Sequence, residues 1–204
     1  ARSAVWANEA DFRSSAVRKA AHTFKAHTAL RGGDASFRDL TLLPDAALES
    51  LGCIMRLATA WLAVPSSSLC VEMALLGKAK GGSRTIAILP TFYRLYMRVQ
   101  GATITEWDTA VALPRDSALR GRSALHAQTR RSWEMEVAAE REEPCVEFLW
   151  DMEKFFDSIS LEVLFEQLSL HGYPVELMLM GAQQHRAPIF FRVGTILSNT
   201  VANF

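Results

Sequence analysis

FLWDMEKFFDSIS, residues 148–160, decides how this chain is read. Asp151 stands at the end of an apolar run, with Val146, Phe148, Leu149 and Trp150 before it and only Glu147 departing from the pattern. A strand buried on both faces reads as such a run, and it would fix its last residue rigidly, which is what a metal ligand needs. Phe155 and Phe156 follow, then Asp157. The plain alternative is a strand end whose acids cap the helix that Ser160 begins. The functional alternative is that Asp151 holds Mg²⁺, a hard ion that prefers oxygen donors and substrate phosphates. Two such ions about 4 Å apart can activate one oxygen and stabilise the leaving one in phosphoryl transfer.

Outward from this stretch, 204 residues with half of them apolar and 22% charged suffice for one buried core and an ordinary globular composition. Cys53, Cys70 and Cys145 are sparse, odd in number and without a CxxC pair. They make neither a zinc framework nor a disulfide scaffold, so a reducing intracellular compartment, nuclear or cytoplasmic, is expected. The apolar stretch Cys53–Val64 is interrupted by Arg56 and is too short for a bilayer, so no membrane partner is expected. The chain opens on Ala1 with no basic-then-apolar leader and stops at Phe204, which reads as a fragment at both ends.

Net charge is zero, but its distribution is uneven. From Lys78 to Arg131 there are ten Lys/Arg against Glu106, Asp108 and Asp116, a net of +7. From Glu134 to Glu176 there are twelve acids against Arg141 and Lys154, a net of −10. Such asymmetry suits a phosphate-facing surface followed by a cation-concentrating one, or two solvated faces.

Residues 1–39 show weak periodicity, with RGGD at 31–34 read as a turn or linker. Leu48, Leu51, Met55, Ala58 and Leu62 mark an amphipathic helix after Pro44. Strands are expected at 70–76 and 85–89, joined by the glycine-rich GKAKGGS. A helix follows Pro90 with Phe92, Leu95, Tyr96 and Val99 on one side; another runs from the cap Ser123 to about Glu140. CVEFLW, 145–150, reads as a strand, and Leu161, Leu164, Phe165 and Leu168 as the stripe of a helix stopped by Gly172. Pro174 opens a further helix, and IFFRV at 189–193 is the last strand. The class is α+β with a partly antiparallel sheet.

Two basic elements accompany the aspartate. Lys78, Lys80 and Arg84 surround Gly77, Gly81 and Gly82, a composition that lets backbone N–H groups and flexible cations approach a polyphosphate. It lacks the P-loop spacing, and by itself such a segment is more often a soluble surface turn. In ALRGRSALH, 118–126, Arg120 and Arg122 precede Ser123 at a helix N-terminus, where a phosphate is favoured by charge and dipole. A phosphatase-type aspartyl nucleophile would want a second aspartate two places after Asp151, where Glu153 stands.

Taken in order, GKAKGGSRTIAILPTFYRLY, LRGRSALHAQ and FLWDMEKFFDSISLEVLFEQLSLHGYP resemble the reverse transcriptase domain of non-LTR, LINE-type retroelements and group II intron relatives. The likeness spans about Leu40 to Ala202; Thr85 replaces a usual proline, Phe155 an alanine and Ile159 a valine. It implies a partial polymerase right hand: an N-terminal extension over 1–39, helical fingers with a basic β-hairpin over 40–142, and the first part of an antiparallel palm over 143–204. It implies Asp151 as a catalytic metal ligand beside the Met152 carbonyl, with two Mg²⁺ in a complete enzyme. Phe155 and Phe156 would border the nucleotide, Phe156 as the steric gate against a ribose 2′-hydroxyl. Lys78, Lys80 and Arg84 would hold the dNTP triphosphate, and Arg120, Arg122 and Ser123 the template; Asp157 would be structural. Partners would be an RNA template and a DNA primer. The family's Tyr/Phe-x-Asp-Asp hairpin is missing before Phe204, so this polypeptide alone is expected not to polymerise, and a non-catalytic nucleic-acid-binding remnant is the competing expectation.

Overall fold

The computed structural model describes residues 11–77, 79, 81–113, 116–119, 121–148, 158–193 and 196–198. Among them are eight α-helices and four strands, an α+β arrangement. Two compact units divide the chain: residues up to 102 together with those from 172 onward, and Thr103–His171.

The first unit is built on α1 (Ser14–His22), α2 (Phe37–Leu42), α3 (Asp45–Trp61) and α4 (Thr91–Val99). The periodicity after Pro44 gives α3 as expected, with Leu48, Met55 and Ala58 buried. The helix ends because Leu62 turns into the left-handed region at φ 52°, so Leu62 caps the helix and does not extend its stripe. Between Leu48 and Met55 the buried face carries Gly52, over which the backbone of Phe12 runs. Tyr96 and Leu95 of α4 are fully buried, as are Val17, Leu48 and Met55; the Tyr96 ring stacks on Phe12 with centroids 5.8 Å apart, and its hydroxyl hydrogen-bonds the Thr59 hydroxyl of α3 at 2.9 Å. Burial of side chains this size contributes about 1.5–3 kcal/mol each, which makes α1, α3 and α4 the energetic centre of the unit.

The sheet has the order β2-β1-β3-β4. Its strands are β1 (Val71–Gly77), β2 (Ser83–Ile88), β3 (Ile189–Val193) and β4 (Ile196–Leu197). β1 and β2 are an antiparallel hairpin in register from Glu72↔Ile88 to Gly77↔Ser83. β3 adds parallel to β1 at Val71↔Ile189, so the sheet is mixed. Chain order explains this: β1 and β3 are separated by most of the helices, and a parallel pair needs a long crossover. α8 (Val175–His185) belongs to the same unit, with Leu177 and Met180 buried. Its Gln183 accepts from the Val64 N–H at 3.0 Å and donates to the Leu62 carbonyl at 2.6 Å, fastening α8 to the end of α3.

The second unit carries most of α5 (Gly101–Val111), all of α6 (Ala124–Glu140) and α7 (Leu161–Leu170). Ser123 and Ser160 cap α6 and α7 as their sequence positions suggest, accepting from His126 N–H at 3.2 Å and Val163 N–H at 3.4 Å. Gly172 stops α7 at φ 67°. The expected stripe of α7 is only half-buried, and no residue of α6 is buried. Among the described residues no helix is long and apolar enough to cross a membrane.

One expectation fails in its described part. Cys145–Phe148, the first four residues of the anticipated strand, carry no regular structure, and Val146 and Phe148 are 74% and 75% exposed. A strand needs a neighbour for its backbone N–H and C=O groups, and no described strand pairs with this segment. Apolar composition alone does not supply that neighbour.

Candidate functional site

The glycine-rich basic segment is the turn of the β1–β2 hairpin. β1 rises from a buried root at Val71 and Glu72 to an exposed end at Gly77. Gly81 and Gly82 then take φ of +90° and +82°, a conformation that side-chain-bearing residues rarely adopt. Arg84 sits opposite Leu76 near the start of β2, exposed, with no hydrogen bond or ion pair to any described residue. Lys78 and Lys80 lie outside the described residues.

The root of this hairpin holds a group that the sequence reading passed over. Glu72, second in VEMALLG, is 2% exposed. One carboxylate oxygen accepts from the Gly32 N–H at 3.0 Å; the other lies 2.8 Å from Arg192 Nε on the neighbouring β3, close enough for an ion pair but not aligned as a hydrogen bond. A buried carboxylate is tolerated only with such compensation. A single acid among apolar strand residues is the signal that would have found it, since an alternating or fully apolar strand leaves no reason for it. Gly32 belongs to RGGD, which is a turn, as its composition says, but is no linker. Arg31 bonds the Asp34 carboxylate at 2.8 Å, the Ser67 carbonyl at 3.2 Å and the Cys70 thiol. The second Asp34 oxygen accepts from the Thr91 N–H at 2.9 Å, capping α4, whose own N-cap is Pro90. Arg31, held against this carboxylate, loses solvation, yet the ion pair with Asp34 and the neighbouring Cys70 raise its affinity for the proton overall. The turn therefore anchors both the hairpin root and the start of α4.

In the second unit, Gly121 at φ +85° turns the chain into α6. Arg122 folds back and donates to the carbonyls of Leu113 at 2.7 Å and Asp116 at 2.6 Å. These bonds shape the loop ahead of α6 without neutralising the guanidinium. Beside the capped N-terminus is an open cavity of about 560 Å³ lined by Arg122, Ser123, His126, Arg130 and Arg131 among others. Arg130 pairs with Glu134 at 3.0 Å, and Arg131 with Glu147 at 2.9 Å. Arg122, Arg130 and Arg131 on this wall thus already have protein partners, and two of the acids that follow Arg131 in sequence, Glu134 and Glu147, pair with the basic stretch before them.

Arg120, Asp151, Met152, Phe155, Phe156 and Asp157 lie outside the described residues. Of the remaining expected site residues, Arg84 belongs to the first unit, and Arg122 and Ser123 to the second. Among the described residues no three His, Cys, Asp or Glu side chains gather in a metal-ligating cluster, and the three cysteines are free thiols. No protein-family model matches the chain, and a search of curated proteins finds no relative.

Proposed function

We propose that this chain is the nucleotide- and template-handling part of an RNA-directed DNA polymerase of the LINE-type reverse transcriptase kind. In that reaction the primer 3′-oxygen attacks the α-phosphorus of a dNTP, a P–O bond forms, and pyrophosphate leaves. The observation that carries the reading is the hairpin: GKAKGGSRTIAIL, the segment assigned to the triphosphate, runs from the end of β1 through a glycine-rich turn into the antiparallel β2, with the Arg84 side chain exposed and uncommitted beside the turn. A guanidinium so placed is suited to forked contact with phosphate oxygens. Ser123 and the N-terminus of α6 would face the template backbone, with Arg122 holding the loop and contributing charge.

The oxygen donors assigned to the metal, the Asp151 carboxylate and the Met152 carbonyl, have the hard character that Mg²⁺ favours. They are too few to hold two ions without further carboxylates. When bound, Mg²⁺ supplies charge neutralisation at the reacting phosphate. Phe156 would act by bulk, leaving room for a deoxyribose and excluding a 2′-hydroxyl.

The second reading, a nucleic-acid-binding remnant without catalysis, is favoured by the exposed, irregular Cys145–Phe148 just ahead of Asp151. Equilibrium binding of dCTP and CTP to the chain with Mg²⁺ separates the two. The polymerase reading expects preference for dCTP, weakened binding of both in Arg84→Ala, and loss of the preference in Phe156→Ala. Absence of nucleotide binding, or equal binding of both sugars by the wild type, would leave the remnant.

A further inference from the structure

A second cationic surface exists in the first unit, outside every element on which the proposed function rests. It starts from two rings: Phe24, after α1, stacks on Phe37 of α2 with centroids 3.6 Å apart. Two guanidiniums of α4 lie over this pair. Arg94 is 5.5 Å from the Phe24 centroid and 5.0 Å from Phe37, and Arg98 is 4.6 Å from Phe24. They share one ring and repel each other; burial and the Arg98 charge both lower the proton affinity of Arg94, with Asp34 opposing. Around the same rings runs a cavity of about 380 Å³ lined by His22, Lys25 and Arg38. Lys19 is exposed one turn before His22 on α1.

Acids able to neutralise this face are nearly all engaged elsewhere. Asp11 pairs with Arg13, Asp34 with Arg31, and Asp45 with Arg18. Asp39 on α2 is the exception. That leaves Lys19, Lys25, Arg38, Arg94 and Arg98 against one carboxylate, a net of +4 from five cations and one acid. Arg94 donates to the Ala29 carbonyl at 2.6 Å, while the side chains of Lys19, Lys25, Arg38 and Arg98 make no hydrogen bond or ion pair to a described residue. Lys19 and His22 suit the C-terminal end of a helix dipole, which explains those two alone. Two guanidiniums stacked on one ring, without an anion between them, are better explained by an anion that comes from outside.

We propose that this face, formed by the end of α1, the turn through Phe24 and Lys25, α2 and one side of α4, binds the phosphodiester backbone of single-stranded nucleic acid. The cations neutralise successive phosphates, and Arg94 and Arg98 are pre-positioned by the aromatic pair, so little side-chain freedom is lost on contact. With four to five phosphates engaged, log Kd should change with log[salt] at a slope of roughly 3 for a single strand.

The test is fluorescence anisotropy of a labelled oligonucleotide of about twenty nucleotides against the whole chain over a salt series. Lys19→Glu with Lys25→Glu, both exposed and free of structural bonds, should weaken binding about tenfold or more at low salt and flatten the slope by more than one unit. Arg98→Gln should weaken it by several-fold with unchanged far-UV circular dichroism. Arg84→Glu serves as the hairpin control. Loss of affinity in the hairpin variant alone would overturn this inference and leave the proposed function standing; loss in the face variants supports it whatever the fate of the hairpin variant. Absence of binding by the wild type, or binding to phosphatidylserine vesicles in place of the oligonucleotide, would also overturn it.

Discussion

Replacing Gly52 with alanine opposes two effects whose sizes can be compared. Gly52 is in the interior of α3, where alanine is favoured over glycine by about 1 kcal/mol through backbone entropy. A Cβ at this position, however, would sit 1.9 Å from the carbonyl oxygen of Phe12 and 3.1 Å from its carbonyl carbon. Non-bonded carbon and oxygen need more than an ångström of further separation. The atom that would have to give way is backbone, not the end of a flexible side chain. Phe12 is itself 5% exposed and stacked on the fully buried Tyr96, so moving it disturbs the packing of the segment ahead of α1 on α4. Overpacking of this kind costs about 3 kcal/mol, at the upper end of its usual range. The net is a loss of about 2 kcal/mol, or a melting temperature lower by about 4–8 °C in a chain of this length. Gly181→Ala is the matched control: it too lies within a helix, α8, but its Cβ would meet only the Tyr93 hydroxyl at 3.7 Å, an ordinary contact. That variant should gain about 0.5–1 kcal/mol. Urea unfolding of both, followed by circular dichroism, measures the difference directly. If Gly52→Ala proves as stable as Gly181→Ala, the close passage of Phe12 over α3 is wrong.

Two further perturbations probe the same unit. Asp34→Ala removes the cap of α4 and leaves Arg31, 17% exposed at its side chain, without its carboxylate. It should cost about 2–4 kcal/mol, and Asp34→Asn less because an acceptor for Thr91 remains; a loss under about 0.5 kcal/mol in the alanine variant would place the turn outside the fold. Burial pushes the Tyr93 hydroxyl up to about 12 from its ordinary 10.0. Between these values the folded chain binds more protons than the unfolded one, so stability is intact below pH about 10 and declines as pH rises toward 12. Thermal melts across that window should show the decline, and Tyr93→Phe should reduce it; an unchanged slope would argue that other groups cause it.

What could be read in advance was whatever is encoded locally. The 3.6-residue spacing of Leu48, Met55 and Ala58, the capping hydroxyls of Ser123 and Ser160, and the glycines at 81, 82 and 172 each fix their own neighbourhood, and each takes the expected conformation. The reading fell short wherever a distant partner decides the outcome. Glu72 is explicable only once Gly32 and Arg192 meet it from opposite ends of the chain. RGGD has the composition of any turn, and nothing within four residues shows that Asp34 will cap a helix beginning at Thr91. CVEFLW has strand composition, yet pairing is a property of the neighbour as much as of the segment. The same holds for the expected site: Arg84 is recognisable from its glycine-rich setting, whereas the stacking of Arg94 and Arg98 on Phe24 has no local signature.

The parallel pairing of β1 with β3 has a kinetic consequence. The β1–β2 hairpin closes over a handful of residues and can form within microseconds. Joining Val71 to Ile189 instead closes a loop of more than a hundred residues, whose entropy must be lost before the contact returns anything. During synthesis the hairpin is therefore complete long before its parallel neighbour leaves the ribosome, with the β3-facing side of β1 and the carboxylate of Glu72 still open to water. Assembly of this sheet is set by the arrival of IFFRV, and a nascent chain halted before that segment would carry an unfinished strand edge that invites association with its neighbours.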